Sequence, residues 1–247
     1  LVEEGDLVKL GQPLFEDKKN SGVMFTSPAG GKIESINRGD RRALQSIVIE
    51  VDQNEESLEF DSFSEDDLKQ ASPEDIRSQL IASGLWTAFR TRPYSKIPSV
   101  DSSPSNVFIS ALDTQPLSAN PEDIINLKKD DFLFGIAVLK KLTNSQIHLS
   151  VAEDSSLTLI DDELLKVHVF SGPHPAGLVG TQMHFISPAT LTNVNWSIGY
   201  QDVIAFGQLF KTGYLNVERI ISLAGPQVVN PAYIKTRLGA CTDELTA

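Results

Sequence analysis

"NVFISAL", Asn106–Leu112, is a compact apolar run of the length and composition of a buried strand. It is followed by "DDFLFGIAVLKKLT", Asp130–Thr143, which is long enough for a helix, and then by a second strand-like run, "QIHLSVA", Gln146–Ala152. The same alternation continues with "LLKVHVF" (Leu164–Phe170) as a strand, "YQDVIAFGQLFKTG" (Tyr200–Gly213) as a helix and "ERIISLAG" (Glu218–Gly225) as another strand. Strands separated by helices argue for an α/β layer built on a mainly parallel sheet. Between them "FSGPHPAGLVGTQMHFIS", Phe170–Ser187, reads as a long crossover passing the strand ends, where open sheets meet ligands.

Upstream the pattern differs. From Leu1 to Asp52 short β-like runs alternate with Gly-bearing turns, as in "LVEEGDLVKLGQPLF", "GVMFTSP" and "GGKIESINRGDRRALQSIVIEV". The spacing fits a small sandwich or barrel, with "EEGD" and "NRGD" as tight turns. Gly30 and Gly31 are expected to let the chain reverse closely between strands. They lack the strand-then-helix context of a dinucleotide or P-loop site. The acidic stretch "DQNEESLEFDSFSEDDLKQASPEDI", Asp52–Ile76, reads as a connector. At its end Ser72 is a helix N-cap, Pro73 the first helical residue and Asp75 the third, predicting a helix from Pro73 to about Ser83.

With 33 acidic against 21 basic residues the net charge is −12, and no long basic stripe interrupts it, so nucleic acid is not an expected partner. One cysteine, Cys241, excludes an intrachain disulfide and any four-cysteine cluster within these residues. The longest apolar stretches run to about ten residues, too short for a membrane-spanning helix. Both ends read as cut, as in an internal fragment of a longer protein.

Candidates for chemistry are few. His148 and His168 sit in strand-like alternation and read as structural; His174 and His184 lack metal-ligand spacing, so no metal site is expected. Ser171 beside Gly172 reads as a turn residue, Asp113 as a strand-end residue open to ligand contact or turn capping. Lys18 and Lys19 lack the matched hairpin of a cofactor-carrying lysine. Arg90, Arg92 and Lys96, interleaved with Phe89 and Tyr94, form the densest positive patch, suited to a partner's carboxylates or to an interdomain brace.

The phrases "GQPLFEDKKNSGVMFTSPAGGKI", "INRGDRRALQSIVIEV", "FRTRPYSKIP" and "FSGPHPAGLVGTQMHFISP", in this order, closely resemble the A subunits of the bacterial sodium-translocating NADH:quinone oxidoreductases. The likeness covers essentially the whole chain. It implies a peripheral subunit on the cytoplasmic face of the inner membrane, docked on the B-type membrane subunit alongside the other subunits, in a complex that reduces ubiquinone and exports sodium. The flavins and iron-sulfur centres of that family lie in other subunits. The implied fold class is α/β: a barrel-sandwich-like module (1–52), a connector with a helix and an Arg-rich loop (53–105), and a Rossmann-like domain (106–247) truncated at its C-terminus. That fold is similar to the flavoprotein subunit of respiratory complex I. Those relatives carry a glycine-rich flavin loop, SGLRGRGGAGFPT, where this chain reads "SGLWTAFRTRP", Ser83–Pro93. Bulky Trp86, Phe89 and Arg90 stand among the positions where those glycines would let backbone amides approach phosphate, so the flavin site is expected to be filled and no flavin bound. With no catalytic residue, metal or redox group, the isolated fragment is expected to be inactive. Its expected part is to hold or position ubiquinone, with Arg92, His174 and His184 as candidate polar contacts and Phe185 and Trp196 as aromatic walls. The competing expectation is a purely structural assembly subunit.

Overall fold

A computed structural model describes residues 2–159 and 163–246. The N-terminal strands are β1 (Leu7–Val8), β2 (Pro13–Glu16), β3 (Met24–Thr26), β4 (Gly31–Arg38) and β5 (Leu44–Val51). All pair antiparallel, in a three-stranded sheet ordered β1-β4-β5 and a β2-β3 hairpin. Val8, Leu14 and Ile33 form a small core of their own, and Phe15 stacks on Phe25 with ring centroids 4.7 Å apart. The paired glycines serve close approach: a Cβ on Gly31 would lie 2.0 Å from the Glu50 carbonyl oxygen on β5.

The acidic connector carries two helices, α1 (Glu65–Gln70) and α2 (Pro73–Ala82). Each opens with a reciprocal capping box, Ser64 with Asp67 and Ser72 with Asp75, so two orphan backbone donors are satisfied at each start. The reading of Ser72–Asp75 holds. Helix α1 is an addition to it, although Ser64–Asp67 repeats the same pattern eight residues earlier.

The α/β part follows, with strands β6 (Arg90–Arg92) and β7 (Asn106–Ala111), helices α3 (Pro121–Leu127) and α4 (Lys129–Leu142), and strands β8 (Gln146–Val151) and β9 (Leu165–Val169). Next come α5 (Val179–Ile186), β10 (Asn195–Gly199) and α6 (Tyr200–Thr212). The sheet order is β6-β10-β7-β8-β9, with β7 to β10 parallel and β6 antiparallel at the edge. The order reverses between β7 and β10. Alternate residues divide the two faces: Val107, Ile109, Ile147, Leu149, Trp196 and Ile198 share the main core with residues of α2, α4 and α6. Helices α4 and α6 cross with backbones nearly in contact, since a Cβ on Gly207 would sit 1.8 Å from the Asp131 carbonyl oxygen and one on Gly135 2.0 Å from that of Val203. The opposite face carries polar Asn106, Ser110, His148, Ser150, His168 and Asn195 around buried Phe108, which stacks on His148, and α5 packs over β7.

The expected crossover at 170–187 leads from β9 towards β10, and its last half forms α5, whose Gln182 donates to Ser110 Oγ at 2.9 Å. One expectation is corrected here. The strand in "ERIISLAG", β11 (Glu218–Leu223), does not extend the parallel layer; it pairs antiparallel with β12 (Ala232–Arg237) in a separate ribbon. Arg237 clamps this ribbon to the connector with two 2.9 Å bonds to the Glu55 carboxylate. A last turn, α7 (Thr242–Leu245), follows.

Candidate functional site

The segment "SGLWTAFR", 83–90, leaves α2 through Ser83 and turns at Gly84, whose φ of +78° lies in the left-handed region. Space demands glycine as well: a Cβ there would be 2.3 Å from Thr26 Oγ1. That hydroxyl donates to the Ser83 carbonyl at 2.8 Å and ties the β module to the turn. A 3₁₀ turn, Leu85–Ala88, then directs Trp86 and Phe89 inward. Both are fully buried, in a cluster with Trp196 and Phe206 whose ring centroids lie 5.1–5.5 Å apart. Trp86 Nε1 donates to the Pro98 carbonyl at 2.9 Å, and the Arg77 guanidinium lies over its ring. Each such aromatic pair adds about 0.5–1.5 kcal/mol beyond its burial, so the turn is held rigidly from behind.

The outer side of the same turn borders a cavity of about 300 Å³. Gly84, Leu85 and Thr87 form one wall, Phe25–Pro28 of the β module a second, and Asp202, Val217 and Arg219 a third. The rings of Trp86 and Phe89 therefore face the core, and of these three bulky residues only Arg90 borders the cavity. Arg90 donates to the carbonyls of Thr87 and Phe89. Asp202, in the first turn of α6, accepts from Arg219 Nη2 at 2.6 Å. Burial pushes its carboxyl above the usual range, while Arg219 and Arg90 pull the other way.

The five quinone candidates do not meet at this cavity. Trp196 is 1% exposed and belongs to the aromatic cluster, so its ring is a core wall. Arg92 lies on β6 opposite Asn195, with its Nε buried and unpartnered. His174 stands over the C-terminal end of β7. Thr114 Oγ1 accepts from Gly177 N at 2.9 Å and lies 3.1 Å from His174 Nδ1. The hydroxyl keeps a second lone pair, so it can donate to Nδ1 or accept from it, and the His174 side chain is exposed. His184 and Phe185 form an edge-to-face pair on α5, with Phe185 73% exposed. Asp113 caps its own turn by accepting from Gln115 N.

The strand histidines stand apart in the sequence, whereas the fold couples them. His148 Nε2 faces Asn106 Oδ1 at 3.2 Å and its Nδ1 faces His168 Nε2 at 2.9 Å. Because the amide oxygen only accepts, His148 carries its proton on Nε2 and takes a hydrogen bond from His168. Burial, reinforced by His168, lowers the His148 pKa to about 4. Among the described residues no group of three or more His, Cys, Asp or Glu side chains is arranged to hold a metal ion, and no helix is long and apolar enough to cross a membrane.

Comparison with known families decides the relationship. Residues 71–215 match the family described as the NqrA second alpha/beta domain, 1–52 the NqrA N-terminal barrel-sandwich hybrid domain, and 220–247 the NQRA C-terminal domain. The chain belongs to the NqrA family. The first match covers the turn at Gly84 and the whole five-stranded sheet; the third begins within β11, the ribbon that stands apart from that sheet. Similar relatives are the Na(+)-translocating NADH-quinone reductase subunits A of Histophilus somni strain 2336, 53% identical over 99% of this chain, and of Yersinia pestis, 52% identical over all of it. The corresponding protein of Vibrio anguillarum is 51% identical over 99%. This NqrA-family chain spans 54–55% of the length of those relatives.

Proposed function

We propose that this chain is the quinone-positioning part of a peripheral subunit in a sodium-translocating NADH:ubiquinone reductase, docked on the membrane-embedded part of that complex at the cytoplasmic face of the bacterial inner membrane. The observation that carries the reading is the exposed imidazole of His174, held 3.1 Å from Thr114 Oγ1 at the C-terminal end of a parallel strand. A ring N–H there suits a quinone carbonyl, and the exposed ring of Phe185 beside His184 suits the quinone ring. Arg92 and Trp196 support β6 and β10 behind these contacts. The strand order, reversing between β7 and β10, supports a Rossmann-like reading and a common ancestry with flavoprotein subunits of the complex I type.

No flavin is assigned to the cavity at Gly84. Its 300 Å³ is at the lower end for a small-molecule site, and Gly84 alone offers the bare backbone that a phosphate cradle requires. Calorimetric titration of the full-length protein with a short-chain ubiquinone tests the assignment. His174→Ala and Phe185→Ala are each expected to weaken binding at least fivefold; unchanged affinity in both removes these residues from the site. A purely assembling role is favoured by one observation, the exposed apolar side chains of Leu178, Phe185 and Leu191 in and around α5. That role predicts loss of docking on the membrane-embedded part of the complex when these side chains are changed, with no quinone bound by the isolated protein.

A further inference from the structure

Strand β5 leaves one backbone edge of the β module open. It hydrogen-bonds to β4 on one side, and among the described residues no strand pairs with its other side. None of its residues is buried. Its pairing skips only Gln45, so Ser46–Val51 runs regularly. Ile47 and Ile49 pack on the small core of Val8, Leu14 and Ile33, while Val48, 38% exposed, falls on the other face. Open edges are commonly guarded by Lys, Pro or an inward-pointing charge; "LQSIVIEV" has no Lys or Pro, and its one charge, Glu50, is exposed. The two ends of the strand differ in sign. The turn before it carries Arg38, Arg41 and Arg42 against Asp40, and among the described residues none of these is in an ion pair. After it come Glu50, Asp52, Glu55 and Glu56. Arg237 neutralises Glu55 and Lys9 neutralises Glu56, which leaves Glu50 and Asp52. Even with Lys32, opposite Glu50 on β4, set against them, this end stays acidic.

We infer that β5 is a self-association edge: two copies of this chain pair their β5 strands antiparallel about a two-fold axis, joining two β1-β4-β5 sheets into one continuous sheet. The arrangement puts the basic turn of each copy beside Glu50 and Asp52 of the other, twice. Parallel pairing would set like charges together. Centring on Val48 keeps like faces together, so Val48 meets Val48, Ile47 meets Ile49 and the core face continues across the junction. An extended strand of another protein would satisfy the same backbone groups. The charge pattern selects the second copy, because the edge is complementary to itself, as an isologous contact requires.

Sedimentation equilibrium of the full-length protein at low ionic strength is expected to show a monomer–dimer equilibrium that weakens with added salt, with slower amide exchange along Ser46–Val51 in the dimer. Two charge reversals decide the pairing. Arg41→Glu with Arg42→Glu makes both ends of β5 acidic, and Glu50→Lys with Asp52→Lys makes both basic. Each double variant alone is expected to dimerise roughly tenfold or more weakly than the unaltered protein. An equimolar mixture of the two is expected to recover association, since every junction then joins an acidic end to a basic one. A monomer at every concentration, a dimer untouched by either reversal, or no recovery in the mixture when both variants keep the native circular dichroism spectrum overturns the inference. A monomer whose β5 amides are already protected also overturns it, in favour of a strand from elsewhere in the full-length chain.

Discussion

Replacing Gly84 by Ala isolates the turn on which the junction depends. At φ +78° an L-residue costs about 1–2 kcal/mol. The new Cβ, 2.3 Å from Thr26 Oγ1, must also rotate that side chain away and break its 2.8 Å bond to the Ser83 carbonyl, worth about 1 kcal/mol. Gly84→Ala should therefore destabilise by about 2–3 kcal/mol. Thr26→Ala, which loses only the hydrogen bond, should cost about 1 kcal/mol. In the double variant the clash is gone and the bond is lost only once, so its cost should equal that of Gly84→Ala and fall about 1 kcal/mol below the sum of the singles. Urea unfolding followed by circular dichroism measures all four proteins. Strict additivity, or a Gly84→Ala cost under about 0.5 kcal/mol, refutes the placement of Thr26 against the turn.

Three other outcomes are expected. Trp86→Ala removes the centre of the aromatic cluster and should cost about 3–5 kcal/mol by urea unfolding; a cost under about 1 kcal/mol would show the cluster to be loosely packed. His148 stays neutral in the fold down to about pH 4, while in the unfolded chain it gains a proton near its ordinary 6.5. The unfolded state thus binds more protons between these values, and stability should fall as pH drops from 6.5 to 4. The shift corresponds to about 3 kcal/mol at most; His148→Gln, measured by thermal unfolding across that window, should flatten this part of the profile. Arg237→Ala removes both bonds to Glu55 and should free the β11–β12 ribbon, read as faster amide exchange in Ile220 and Ile221 with little change in the parallel sheet.

Local patterns are legible in the sequence wherever they are both periodic and self-contained. The strand at Asn106, the helix at Asp130 and the Ser72 capping box each carry their own reason for forming. Helix α1 shows the same box at Ser64, but with Leu68 the one buried residue of the helix the surrounding acidic run masks it. Helix α5 follows Gly- and Pro-rich sequence and leaves Phe185 exposed in its last turn, so it lacks the apolar stripe that marks a buried helix. Pairings set by tertiary register are not legible. Nothing within "ERIISLAG" says that its partner is β12 instead of the sheet, and nothing in the spacing of His148 and His168 shows that β8 and β9 bring their imidazoles into contact. The junction cavity is similar: Asp202 and Arg219 meet only because α6 and β11 converge there. The bulk of Trp86 and Phe89 in the turn is plain in the sequence, but the direction of their rings is decided by the apolar space beside Trp196, which sequence does not display.

The most direct test of the account is calorimetric titration of the full-length protein, and of residues 1–247 alone, with a short-chain ubiquinone. The account predicts saturable one-to-one binding by both, abolished or weakened at least fivefold by His174→Ala in the full-length protein. Binding by neither, or binding by the full-length protein that is indifferent to His174, would contradict it and move the quinone contact outside these residues.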